Sequence, residues 1–338
     1  MKYSDLGKID TKKMYEIYDD WPNIAKTFYE KDLEKIRVSG INHIIFSGMG
    51  GSGALGDIFS AILSKTDIHV CVVKGYHLPK TVNSNTLVVA ISISGNTDET
   101  IRVLESANQQ NCKLIAFSSG GKMEKFCKYN KIEFRKIKQF HSPRASFTSF
   151  LYSILNILSP IIPIQKEDVC ESIKNLQQLQ KEISSQNISE NNPSLSLAKW
   201  IKNTPLIYYP WGLQSAAIRF KNSLQENSKT HVIIEDVVES CHNGIVAWEK
   251  QSNIQPIMIK GVDDHFKTKE KWKILGEYFQ QNKIEYKEII SVKGNILSKI
   301  ISLIYLLDYT TIYKSILENI DPSPVKSIDY IKDKTNVR

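Results

Sequence analysis

From His43 to Ile137, short apolar runs and amphipathic stretches follow one another in regular succession. HIIFSG (43–48), IHVCVVKG (68–75), TLVVAIS (86–92), KLIAFSS (113–119) and KIEFRKI (131–137) are rich in Val and Ile, are bounded by Gly, Ser or Asn, and read as strands. Between them, LGDIFSAILSK (55–65) and DETIRVLESANQQN (98–111) carry apolar residues three and four apart, the spacing of a helix with one buried face. Strand, helix, strand in alternation predicts a parallel sheet covered by helices. The pattern lapses at SSQNISENN (184–192), which is polar and without period, and resumes beyond Pro193. Strands are predicted at TPLIYYPW (204–211), THVIIED (230–236), NIQPIMIKG (253–261) and IEYKEIISV (284–292). Helices are predicted at LQSAAIRFKNSLQENSK (213–229) and HFKTKEKWKILGEYFQQN (265–282). After Gly294, NILSKIISLIYLLDYTTIYKSILEN is apolar enough to require burial against a domain or a partner chain.

This pattern divides the chain into an N-terminal helical segment (1–40), a first α/β domain (41–183), a linker (184–196), a second α/β domain (197–320) and a tail (321–338). Each α/β domain is expected to be a flavodoxin-like three-layer sandwich, a parallel sheet flanked by helices. The length of 338 residues suits two domains, and 41% hydrophobic with 24% charged residues excludes disorder as the main state. The 44 Lys and Arg against 36 Asp and Glu leave a net charge of +8, which suits an anionic partner without choosing among nucleic acid, a membrane surface and phosphorylated metabolites. The charged N-terminus lacks an apolar leader core, and no stretch reaches the roughly 18 uncharged apolar residues of a membrane span, so a cytoplasmic location is expected. Cys71, Cys112, Cys127, Cys170 and Cys241 are scattered without a CxxC pair and read as reduced thiols, not as metal ligands or disulfides.

Two strand-to-helix junctions carry chemistry. Gly48-Met49-Gly50-Gly51-Ser52-Gly53 follows the strand HIIF and precedes a helix. A glycine-dense turn brings backbone N–H groups close to an anion, and the helix N-terminus adds its free donors. The run also spells GxGxxG, but the second strand ends Val72-Val73-Lys74-Gly75, without the carboxylate a dinucleotide ribose needs, and no Gly-Lys-Ser/Thr follows for a P-loop. A structural turn, a dinucleotide and another phosphorylated ligand stay open on this motif alone. Ser92-Ile93-Ser94-Gly95-Asn96-Thr97 sets three hydroxyls at the carboxyl end of a parallel strand, where they can hold a phosphate without a metal ion. On the predicted helix 213–229, Arg219, Asn222 and Glu226 stand at i, i+3 and i+7 and share one face.

These motifs resemble the sugar isomerase (SIS) domain family, and within it the archaeal-type bifunctional phosphoglucose/phosphomannose isomerases. Besides the two turns, Ser142-Pro143-Arg144-Ala145, Lys221-Asn222 with Glu226-Asn227-Ser228-Lys229, His242-Asn243 and Ser327-Ile328-Asp329-Tyr330-Ile331-Lys332 occur in that family's order and at about its spacing. The resemblance covers nearly the whole chain and implies two tandem SIS-type domains. It implies an aldose–ketose isomerase that needs no cofactor or metal and converts glucose 6-phosphate, and mannose 6-phosphate, to fructose 6-phosphate. Gly51, Ser52, Ser92, Ser94 and Thr97 would then bind the substrate phosphate. Glu226 would move the proton through a cis-enediol, with Arg144 stabilising the charge that develops on it. His242, contributed by the other subunit of a homodimer, and Lys332, from a tail folding over the site, would open the sugar ring. Ser323 is a candidate for tolerance of both C2 epimers. No nucleic acid or membrane partner is implied. Two other classes remain: a non-catalytic phosphosugar-binding SIS regulator, and an NADP-dependent oxidoreductase leaning on GxGxxG and Lys74. His43, His69, His77, His141, His231 and His265 show no ligand spacing and are assigned no role.

Overall fold

The computed structural model describes residues 1–335, and residues 336–338 of the expected tail lie outside the described residues. The chain opens with α1 (Tyr3–Ile9), α2 (Met14–Asp19) and α3 (Trp21–Glu30). A parallel sheet then forms from β1 (His43–Ser47), β2 (His69–Val73), β3 (Thr86–Ser92), β4 (Lys113–Ser118) and β5 (Glu133–Lys136), in the order β2-β1-β3-β4-β5. Its crossovers include α4 (Gly50–Leu63), α5 (Asp98–Asn108) and α6 (Gly121–Asn130). β1 and β3 are buried along their whole length, which is why they read as unbroken apolar runs and do not alternate. The strand order reverses between β1 and β3, so a crevice opens beyond their carboxyl ends, between the Gly48 and Ser92 turns.

α7 (Phe147–Ile157), α8 (Lys166–Ile183) and α9 (Pro193–Trp200) lead to a second parallel sheet. It comprises β6 (Thr204–Tyr209), β7 (Ile233–Asp236), β8 (Ile254–Lys260) and β9 (Lys287–Ile290), ordered β7-β6-β8-β9. With it come α10 (Gln214–Asn227), α11 (Val237–Ser240), α12 (Phe266–Gln281) and α13 (Ile296–Leu317), and then α14 (Lys326–Thr335). α13 is long and apolar enough to cross a bilayer, but 83% of its most apolar window is buried inside the protein, where it packs on α4, α8, α9 and α10.

Two expectations are corrected. The helix expected from residue 55 starts at Gly50, because the glycines of the turn are themselves wound into its first coil. A methyl on Gly53 would stand 2.8 Å from the Gly48 carbonyl oxygen, so this tight entry needs glycine. The expected linker 184–196 is not a free tether. Asn192 caps α9 by accepting from the Leu195 N–H at 3.0 Å, Pro193 takes the first helical position, and Ser185 donates to Asp19 and to the Tyr309 hydroxyl. Polar side chains here satisfy buried backbone and side-chain groups.

Candidate active site

The first turn is organised around Met49. Its carbonyl accepts the N–H groups of Ser52 and Gly53 at 3.0 and 3.2 Å, while among the described residues those of Gly50 and Gly51 donate to no backbone carbonyl. Ser52 Oγ accepts from the Ile93 N–H at 3.2 Å and thereby ties the first turn to the second. In the second turn Ser92 is fully buried. Its Oγ accepts from the N–H groups of Gly95 and Thr97 at 3.1 and 3.4 Å and pairs with Thr97 Oγ1 at 2.9 Å. Ser92 therefore shapes the turn, while Ser94 and Thr97 are partly exposed at it. Gly95 has a left-handed backbone, with φ of +72°. Its back presses on the Gly120 carbonyl and Ser118 Oγ, and Gly95 O accepts from the Met123 N–H at 2.9 Å.

Arg144 comes from the loop before α7 and is 5% exposed. Its Nη1 donates to Glu226 Oε2 at 2.9 Å, and its Nη2 donates to the carbonyls of Pro322 and Ser323 at 2.6 and 2.9 Å. Its Nε is buried without a partner among the described residues. Glu226 sits in the last turn of α10 with its side chain 27% exposed. Glu226, Asn222, Lys229 and His231 line an open cavity of about 890 Å³, together with Gly50 from the first turn, Asp321 from the segment before α14, and Lys326, Ser327 and Ile328 from the first turn of α14. One cavity thus joins the glycine turn to a carboxylate that is held by a guanidinium.

Of the face formed by Arg219, Asn222 and Glu226, only the last two reach this cavity. Arg219 is 2% exposed and pairs with Asp308 of α13 at 2.7 Å. His242 and Lys332 are not among the lining residues. His242 is exposed between α11 and β8; Lys332 is exposed on α14, one turn beyond Ile328. Ser323 Oγ pairs with Nε2 of His141 at 3.2 Å. Burial, aided by the Arg144 charge, pushes the His141 imidazole below its ordinary value, and burial likewise lowers the Lys229 ammonium. Arg219, His141 and His231 are the residues near the site that sequence reasoning left without a role. The one available signal was for His231, five residues past Glu226 and just beyond the end of its helix. Among the described residues no group of three His, Cys, Asp or Glu side chains is placed to hold a metal ion.

Residues 38–159 match the family model of the SIS domain, and residues 190–335 match that of the bacterial phospho-glucose isomerase C-terminal SIS domain. A bifunctional phosphoglucose/phosphomannose isomerase of Caldicellulosiruptor bescii is 30% identical over 334 residues, covering 95% of this chain and 98% of that protein. One of the same name from Aquifex aeolicus is 27% identical, covering 95% and 98%. A hypothetical protein from Thermus thermophilus, solved by crystallography, superposes with a TM-score of 0.72 at 11% identity, covering 99% of this chain and 94% of that one, which shows a shared fold.

Proposed function

The chain belongs to the bifunctional phosphoglucose/phosphomannose isomerases, SIS-domain enzymes of the aldose–ketose isomerase class, and on that premise we propose that the cavity between Gly50 and Glu226 interconverts glucose 6-phosphate and mannose 6-phosphate with fructose 6-phosphate without a metal ion. The observation that carries this reading is that Glu226, held by Arg144 at 2.9 Å, lines the same cavity as Gly50 of the glycine turn. The phosphate lies against Gly51, Ser52, Ser94 and Thr97, with Ser92 holding the second turn in shape. Once the ring is open, the Glu226 carboxylate takes the proton from C2 as O1 gains one, giving a cis-enediol, and the same carboxyl returns the proton to C1 as O2 gives up its own to become the ketose carbonyl. The Arg144 guanidinium, fixed beside Glu226, stabilises the negative charge that develops on the enediol oxygen.

Ring opening falls to His242 and Lys332. Val246, 57% exposed, follows His242, and Ile274, 62% exposed, rims a neighbouring 190 Å³ groove lined by Cys241, Ile245 and Tyr278. This apolar surface supports a homodimer in which a second copy covers it and brings His242 to its partner's cavity. A cytoplasmic location suits substrates whose phosphates cannot cross a bilayer unaided. The test is a coupled assay of fructose 6-phosphate formation from both epimers, with and without chelator. Glu226→Gln is expected to lower kcat by about 10²- to 10⁴-fold. Undiminished turnover in that variant would overturn the role of Glu226, loss of activity with chelator would overturn metal independence, and phosphosugar binding without any turnover would make the protein a sensor.

A further inference from the structure

Arg219 lies mid-way along α10, facing α13. Its Nε donates to both Asp308 oxygens at 3.3 and 3.0 Å, and its Nη2 donates to Asp308 Oδ2 and to the Arg144 carbonyl oxygen, each at 2.7 Å. The guanidinium lies over the Phe147 ring, 4.5 Å from its centroid. Asp308 is itself shared, because Ser223 Oγ donates to it at 2.7 Å and the Tyr18 hydroxyl at 3.4 Å. The carboxylate is thus shared among several donors.

The remaining nitrogen, Nη1, donates no hydrogen bond among the described residues and is not sealed into the core. It lies against the first turn, where a methyl added to Gly51 would stand 3.2 Å from it. Beside it are the N–H groups of Gly50 and Gly51, which donate to no backbone carbonyl. A free nitrogen of a buried side chain thus lies next to a turn whose first N–H groups also lack a backbone partner. A guanidinium nitrogen without a protein hydrogen bond beside this turn is placed to donate to an anion bound there.

We propose that Arg219 is a substrate-binding residue whose Nη1 donates to the phosphate of the bound sugar at the Gly50–Ser52 turn, an assignment that rests on the isomerase reading above. The guanidinium gives a site of mostly neutral donors one fixed positive charge. Through Nη2 and the Arg144 carbonyl it also links the phosphate turn to the arginine facing the reacting carbons.

Two variants test this. Arg219→Met combined with Asp308→Leu removes both charges and fills the space, so that neither charge is left buried alone. Arg219→Lys keeps a cation for Asp308 but has no second nitrogen for the turn. Each is titrated calorimetrically with inorganic phosphate and assayed with glucose 6-phosphate. The phosphate dissociation constant and KM are both expected to rise by about 10- to 100-fold, with kcat falling less. A purely structural role would lower stability and leave the phosphate affinity of the folded variants unchanged, and wild-type phosphate affinity in either folded variant overturns the assignment. Absence of turnover in the wild-type chain would overturn the isomerase reading instead, with the phosphate titration still deciding the role of Arg219.

Discussion

Gly95→Ala separates two effects that meet at the second turn. Gly95 and Gly40 both have left-handed backbones, with φ of +72° and +69°, but an added methyl meets nothing within 4 Å at Gly40, whereas at Gly95 it drives into the Gly120 carbonyl and stands 2.5 Å from Ser118 Oγ. The conformational penalty, about 1–2 kcal/mol, is common to both variants. Only Gly95→Ala must also push the facing backbone stretches away from each other, at an overpacking cost of about 1–3 kcal/mol. Three bonds cross that junction among the described residues, Ser119 N–H to Ile93 O at 3.0 Å, Met123 N–H to Gly95 O at 2.9 Å and Lys122 N–H to Asn96 Oδ1 at 3.1 Å. Gly40→Ala is therefore expected to lose about 1–2 kcal/mol and Gly95→Ala about 2–5 kcal/mol in urea denaturation. Because the displaced turn carries Ser92, Ser94 and Thr97, Gly95→Ala is also expected to weaken inorganic phosphate binding, which Gly40→Ala leaves alone. Equal stability losses in the two variants, with unchanged phosphate affinity in both, would refute the argument from crowding.

Mixing Glu226→Gln with His242→Ala subunits gives heterodimers with one intact and one doubly defective site if His242 acts across the interface. Activity should recover to about a quarter of wild type after random exchange, whereas no recovery places both residues in one subunit's site. Asn192→Ala removes the α9 cap and leaves the carbonyls of Ile183 and Asn187 without the side-chain amide that bonds them at 3.2 and 2.8 Å. A loss of about 2–4 kcal/mol in urea denaturation is expected, and a loss under about 1 kcal/mol would restore the picture of a free linker. His141 has its folded-state pKa pushed down, so the native state binds fewer protons than the unfolded chain. Its contribution to stability is complete above about pH 6.5 and is lost as the pH falls through the folded-state value. The acid limb of stability against pH should be shallower in His141→Asn, and an unchanged limb would remove His141 from the account.

The central strands were the most legible elements of the fold. β3 spans the predicted 86–92, and β1 and β4 differ from prediction by one residue at one end, because burial on both faces leaves an unbroken apolar run. Shortening is greatest in β2, β5, β7 and β9, each at the edge of its sheet, where the flanking residues of 68–75, 131–137, 230–236 and 284–292 find no ladder partner. At the candidate site, the glycine and serine turns stand out by composition, whereas Glu226 on its helix face reads as an ordinary solvated carboxylate and takes its role from the family resemblance alone. Arg219 shares that face but was hidden, since its partner Asp308 lies 89 residues away and no local pattern connects them. His231 was hidden for a different reason: an exposed residue past a helix end gains meaning only when the chain brings Lys326, Ser327 and Ile328 to the same cavity.

α13 bears on how the molecule folds as well as on where its site lies. Two parallel sheets suggest two separable units, yet the helix following the last strand packs against α8 and α4 from the first half and α9 and α10 from the second. A fragment ending before residue 184 would present the bare surface of α8 that α13 covers, and the remainder would carry an apolar helix stripped of half its neighbours. The two sheets are therefore expected to melt in one cooperative transition and to resist expression as separate halves.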